Sequence, residues 1–164
     1  MFVAASMLAL AHAPANADQN DPKLDKLFDA LQTSLSNASA ASLEHEIWTI
    51  WTRYPDDQAI NRQMDRAIKM MNAGRLDDAE AMFSAIISRE PAFAEAWNKR
   101  ATVRFFRGDD AGSANDILQV IKLEPRHFGA LSGLGMIKVR EGDLQGALQA
   151  YRAAQRINPF LPNI

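Results

Sequence analysis

The sequence predicts an all-α chain wound as an α-α superhelix, and three observations carry that expectation. Gly74, Gly108 and Gly142 fall 34 residues apart, and Pro91, Pro125 and Pro159 repeat at the same interval. Between each glycine and its proline an apolar set recurs at matched offsets: Ala79, Phe83 and Ile86, then Ser113, Ile117 and Val120, then Ala147, Tyr151 and Ala154. The composition, rich in Ala, Leu, Met and charged residues, suits helices throughout. One helical hairpin is thus written three times, over residues 60–93, 94–127 and 128–159, with a short tail at 160–164.

Taken in order, residues 1–17 read as a signal peptide. Phe2 to Leu10 is an apolar run of h-region length, too short to span a bilayer, and Ala15-Asn16-Ala17 offers a small-x-small cleavage pattern. No Lys or Arg precedes the run, so a disordered Ala-rich tail is the alternative. Export, to the periplasm in a bacterium, follows from the first reading and a cytoplasmic location from the second. Residues 22–55 form a divergent hairpin. Leu24, Leu27, Phe28, Leu31 and Leu35 share one helical face, and Leu43, Ile47, Ile50, Trp51 and Tyr54 share another before Pro55. The register places Leu24, Leu31, Ile47 and Pro55 near the later repeat positions, which suggests a degenerate repeat or N-terminal cap. Trp48 and Trp51 are expected to pack in the interior rather than form an aromatic contact site.

In the three repeats, small residues are expected where paired helices cross: Ala67, Ala101 and Gly135 against Ala79, Ser113 and Ala147. The glycines end the first helices in a left-handed conformation and the prolines stop the second helices. The last helix has no capping helix after it, so its apolar face, with Phe160, Leu161 and Ile164, must be covered by the folded-back tail or by a second molecule. Weak self-association through this end is the corresponding expectation.

A 34-residue helix-turn-helix period resembles the tetratricopeptide repeat (TPR). The layout is similar to small exported bacterial TPR proteins of the alphaproteobacterial kind: a leader, a divergent hairpin, then three repeats. The resemblance implies a protein–protein interaction module whose first helices line a concave groove. Carried over position by position, that groove would show Asn61, Met64, Ile68 and Met71, then Glu95, Asn98, Thr102 and Phe105, then Gly129, Ser132, Met136 and Val139. Its methionine-rich apolar lining suits an apolar peptide or helix of a partner, and Asn98 could hold a peptide backbone. Two readings stay open: a scaffold with an open groove, or a structural subunit of a homo-oligomer or fixed complex whose groove is filled, for instance by the N-terminal segment. The carboxylate-clamp subclass is disfavoured, since Met64, Ile68, Lys99, Gly129 and Gly133 leave one cation at its positions.

The sequence departs from the family pattern at Met70, Arg104 and Lys138, which replace a mid-helix aromatic, and at Arg66 and Arg100, which replace a leucine kept only as Leu134. Arg100, Arg104 and Arg107 share a face, and with Asp109, Asp110 and Asp116 close in sequence they are expected to form a solvated, ion-paired face rather than a site for phosphate or an acidic partner.

Nothing in the sequence calls for catalysis, a cofactor or a metal. Glu44-His45-Glu46 points its side chains about 100° apart on a helix and cannot converge on one ion. His127 has no local motif around it, and no cysteine is present. A net charge of −2 argues against a nucleic-acid role, and no apolar stretch is long enough for stable membrane insertion of the mature chain.

Overall fold

The structure, a computed structural model, describes residues 18–162. The signal-peptide reading of residues 1–17 and the last two residues, Ile164 included, lie outside the described residues. After a 3-10 turn at Asp18–Asn20 come α1 (Lys23–Gln32), α2 (Asn37–Trp51), α3 (Gln58–Asn72) and α4 (Leu76–Arg89). They are followed by α5 (Ala94–Phe106), α6 (Asp110–Leu123), α7 (Phe128–Arg140) and α8 (Leu144–Ile157). Each repeat is an antiparallel pair, α3·α4, α5·α6 and α7·α8, and the pairs stack through α4·α5 and α6·α7. The all-α superhelix is the architecture expected from the 34-residue period.

The punctuation acts as its chemistry requires. Gly74, Gly108 and Gly142 have φ of 73°, 80° and 78°, a region that costs an L side chain strain. Each closes the same cap: the amides of Arg75, Asp109 and Asp143 donate to the carbonyls of Met70, Arg104 and Lys138, at 2.9 Å in all three. The next helices start on side-chain caps where the sequence supplies them, Asp109 accepting from Gly112 N–H and Asp143 from Gly146 N–H.

Where paired helices cross, the small residues are buried as expected. Ser113 donates its hydroxyl to the Ala101 carbonyl at 2.8 Å, so its polar group is satisfied in the crossing. At Gly135 the Tyr151 ring occupies the space a Cβ would need, 2.4 Å away. Phe83 and Ile86 anchor a first core with Ile60, Met64, Ala67 and Phe93, and Ile117 and Val120 a second with Ala101, Ala130 and Ile137. Burying a side chain of Phe83's size contributes roughly 1.5–3 kcal/mol.

Between the first two repeats lies an ion network. Arg100 grips Asp116 with two bonds of 2.8 and 2.9 Å and reaches Ser84 at 3.0 Å. Arg104 joins Glu80 at 2.8 Å to Asp116 at 3.1 Å, and Arg107 reaches Asp77 and Glu80. The arginine stripe is ion-paired as expected, but Arg100, Arg104 and Asp116 are largely buried rather than solvated, and the stripe binds α4 across the repeat boundary as well as Asp116 and Asp109 of its own repeat.

The N-terminal hairpin corrects the sequence reading. It is not the first layer of the stack: α2 barely approaches α3. Leu24, Phe28, Leu31, Ile47 and Trp51 instead form a core with Phe128, Leu131 and Ala154, flanked by Ile157, Phe160 and Leu161. Polar bonds fix the same docking. Gln32 donates to the carbonyls of Arg156 and Ile157, both at 2.6 Å, which α8 leaves open at its C-terminus. Asn158 donates to Glu44 at 2.8 Å, and Arg126 bonds Asp25 at 2.7 Å while lying over the Phe28 ring. The apolar end of α8 is therefore covered by the protein's own first helices, together with Phe160 and Leu161. Leu144 and Leu148 stay exposed on its other side.

Candidate functional site

The first helices α3, α5 and α7 stand side by side, and the sequence-derived groove residues divide into three groups. Those of the first repeat do not line an open surface. Met64 is 0% exposed, inside the first core, because it faces α4 and α5 rather than solvent. Asn61 is occupied in both directions by the Tyr54 backbone, accepting its N–H and donating to its carbonyl, each at 2.8 Å. It pins the α2–α3 linker. Ile68 and Met71 pack partly against the same core.

At the N-terminal ends of α5 and α7 the groove is covered by α2. The Trp51 ring stacks on His127 with centroids 4.1 Å apart and planes 10° from parallel, and Trp48 meets Phe128 edge-on at 5.5 Å. Trp48 also lies over the site of a missing side chain, since a Cβ on Gly129 would sit 2.5 Å from its ring. The Lys99 ammonium is 5.2 Å from the centre of the Trp48 ring. Trp51 is interior, as expected, whereas half-buried Trp48 is the surface that α2 lays on the groove.

Beneath these rings is a buried polar cluster. Glu95, expected in the groove, is 1% exposed. Its carboxylate accepts from Asn98 at 2.9 Å, meets Lys99 at 3.0 Å and pairs with His127 Nε2 at 2.9 Å. His127 caps α7: its Nδ1 accepts the Ala130 N–H at 3.1 Å, which leaves Nε2 to carry the proton and donate to Glu95. Burial alone would push the Glu95 carboxyl up, but Lys99 and the His127 N–H hold it down at about 2. An acid and an imidazole in contact invite a catalytic reading, but both are sealed from solvent. The pair fixes α5 against α7. Sequence reasoning missed it because its members are 32 residues apart. Nearly one repeat separates them, and residues one repeat apart on successive first helices are neighbours, which was the available signal.

Farther along α5 and α7 the third group stays open. Asn98, Thr102, Phe105 and Met136 line one cleft of about 130 Å³ with Phe106, Ile117, Gly129 and Gly133. Gly133 and Gly129 lower the α7 wall, and Ile117 closes the bottom. Thr102 turns its hydroxyl back to the Asn98 carbonyl at 3.0 Å, and Ser132 does the same to Phe128 at 2.9 Å. Thr102 therefore offers mainly its methyl group to the cleft, which Ser132 does not line. Met136, at the rim of the cleft, is 46% exposed, and Val139, which does not line it, is 48% exposed. At the far end Arg140 stacks on Phe105 at 3.7 Å and bonds Asp110 at 2.7 Å. Of the sequence-derived set, the structure brings Asn98, Thr102, Phe105, Gly129 and Met136 together, and it does not join the first-repeat residues to them.

Among the described residues no cluster of His, Asp and Glu has metal-ligand geometry, and no helix is long and apolar enough to cross a membrane.

Comparison with known proteins gives concordant results. The sequence matches the profile of the tetratricopeptide repeat over residues 64–118 and 99–162. It is 36% identical over 137 residues to a TPR repeat-containing protein of Rhizobium etli, covering 84% of this chain and 67% of that one. It is 32% identical over 97 residues to cellulose synthase 2 operon protein C of Komagataeibacter xylinus, covering 58% of this chain and 7% of that protein. The crystal structure of MamA superposes with a TM-score of 0.59 at 17% identity, over 80% of this chain and 74% of MamA.

Proposed function

This chain belongs to the tetratricopeptide repeat family, and we propose that it works as a scaffold or adaptor that holds an apolar segment of a partner protein in the α5–α7 cleft. The fold supports a protein–protein interaction role in general. The observation that carries the narrower reading is the cleft itself: an apolar recess open to solvent, floored by Ile117, walled by Thr102 and Phe105, with the flexible Met136 at its rim. A recess of about 130 Å³ fits one or two side chains of leucine size rather than a whole helix, so the ligand is a short peptide or one edge of a helix.

A second reading has its own support. Trp48 and Trp51 already cover the N-terminal ends of α5 and α7, as in a subunit whose groove is filled from within. The two readings differ in what happens at the exposed rim. In a free scaffold Met136 is oxidised rapidly by peroxide, and in a fixed assembly isolated intact it is protected.

The experiment is crosslinking in cells with mass spectrometry on tagged full-length protein, beside a Met136→Glu variant. Because Met136 is on the rim, the substitution leaves the fold intact. A partner captured by the wild type and lost by the variant supports the cleft. Identical neighbours for both forms overturn it.

Export rests on residues 1–17 and on the small-x-small pattern at Ala15-Asn16-Ala17. N-terminal sequencing of the protein from its native cell tests this: a mature terminus at Asp18 supports export, and an intact Met1 or Phe2 removes it.

A further inference from the structure

The stacked array has an end face that no helix among the described residues covers. α5 is covered by α4 and α7 by α6, each first helix receiving the second helix of the preceding repeat. α3 receives none, because the hairpin before it docks on α7 and α8 instead.

The chain contains an internal copy of the missing contact. On α5, Arg100 bonds Ser84 of α4 at 3.0 Å, Arg104 bonds Glu80 at 2.8 Å, and Arg107 reaches Asp77 at 2.7 Å. The covering helix thus presents oxygen acceptors at i, i+3 and i+7 to a row of guanidinium groups.

One period earlier, Arg66 stands where Arg100 stands, while Met70 and Ala73 stand where Arg104 and Arg107 do. Arg100 is also neutralised inside its own repeat by Asp116, but the matching position in the first repeat is Met82. Arg66 is exposed and has neither an ion pair nor a hydrogen bond among the described residues. Beside it Gln63 takes the place of Trp97, and its Oε1 is buried with no donor among the described residues. Ala59, Arg62, Gln63, Arg66 and Met82 line a shallow cleft of about 500 Å³. The face sets two apolar residues beside two arginines and one amide, and the Arg66 charge and the Gln63 Oε1 are left without partners among the described residues.

We propose that this face of α3 docks a helix from a partner protein that carries a carboxylate opposite Arg66, in the place a preceding second helix would hold. A second copy stacked head to tail is a poor occupant. Its α8 would present Gln145, Leu148 and Arg152 at the positions of Asp77, Glu80 and Ser84, which sets Arg152 against Arg66. Like charges in register oppose that contact and disfavour polymerisation of the array. The occupant is therefore a different chain whose helix sets a carboxylate against Arg66, and its site is separate from the α5–α7 cleft.

The test uses the full chain and a side-chain-stapled helical peptide with the sequence of residues 76–89 carrying Ser84→Asp. Titration followed by NMR is expected to shift resonances of Ala59, Gln63, Arg66 and Met82. Affinity should fall roughly fivefold for the Arg66→Ala protein, the range of a partly exposed ion pair. A Ser84→Lys peptide should bind the wild type on the order of tenfold more weakly and recover on an Arg66→Glu protein. Arg66 is exposed, so these variants keep the fold. The proposal is overturned if millimolar peptide shifts nothing on this face, if the shifts fall on the α5–α7 cleft instead, or if the Asp and Lys peptides bind alike.

Discussion

Replacing Trp51 with alanine tests how the N-terminal hairpin is held. Trp51 is 1% exposed and touches Phe28, Trp48, His127 and Phe128, with ring centroids 4.1–5.9 Å away. Truncating a buried tryptophan costs about 3–5 kcal/mol, through lost burial and the cavity left behind. How that cost is expressed depends on topology. The hairpin core is shared with α7 and α8 and is separate from the core around α3 and α4. α1 and α2 can therefore leave while α3–α6 stay folded, and the loss appears as local opening. Hydrogen exchange of full-length protein should show amides of Leu24–Leu31 and Ile47–Trp51 exchanging roughly 10²–10³-fold faster in Trp51→Ala, since each 1.4 kcal/mol is a factor of ten. Amides of α5 and α6 should change by less than about threefold. A uniform loss of protection across all helices, in one cooperative transition, would refute the reasoning.

Three further outcomes follow from the packing and the charges. Gly135→Ala drives a Cβ to within 2.4 Å of the Tyr151 ring, so overpacking should cost about 1–3 kcal/mol and lower the melting midpoint measured by calorimetry. Glu95 ionises at about 2 in the folded chain and near 4.5 when free, so it stabilises the fold above pH 4.5 and loses that contribution as pH falls toward 2. Urea titrations between pH 5 and 2.5 should show a loss on the order of 3 kcal/mol attributable to this group, and Glu95→Gln should flatten that slope. Asp116→Asn leaves Arg100 and Arg104 without their shared carboxylate, and chemical denaturation should show a loss approaching the roughly 3–5 kcal/mol of a broken buried pair.

The repeats were legible in the sequence because their punctuation is local. A glycine at positive φ and a proline after a helix act through their own backbone, so Gly108 and Pro125 announce their roles without a neighbour. Small residues at the crossings, Ala67 or Ser113, are nearly as local, since a hairpin brings them together over a dozen residues or so. The groove was legible only in part, because a periodic assignment treats every repeat as equivalent. Met64 takes the position of Asn98 but meets a core, and the hydrophobic stripe of α3 is turned toward α4 and α5. Glu95 reads as a groove carboxylate until Lys99 and His127 are seen to enclose it. The placement of the hairpin left no local mark. Its register matched a preceding repeat, and register says nothing about which apolar surface a stripe will choose.

That choice has a physical reason written on the two candidate surfaces. Stacking the hairpin on α3 would lay its second helix over Arg62, Gln63 and Arg66, and α2 offers little to receive them. In the register that sets Ile47 on Phe83 and Pro55 on Pro91, the positions of Asp77, Glu80 and Ser84 fall to Ala41, Glu44 and Trp48, so an indole rather than an oxygen acceptor would face Arg66. Burying Arg66 there without a carboxylate would carry a desolvation cost with no Coulombic return. The surface of α7 and α8 asks for the opposite. Phe128, Leu131, Ala154 and Ile157 are apolar, and the open carbonyls at the end of α8 need donors such as Gln32. Reaching across the chain to that end closes a longer loop, but loop entropy grows only logarithmically, about 0.6 kcal/mol per doubling of length. A single aromatic residue buried against His127 and Phe128 exceeds that. The hairpin thus covers the apolar end of the array and leaves the charged end free, so the same packing decision creates both the sealed Glu95–His127 cluster and the uncovered face at Arg66.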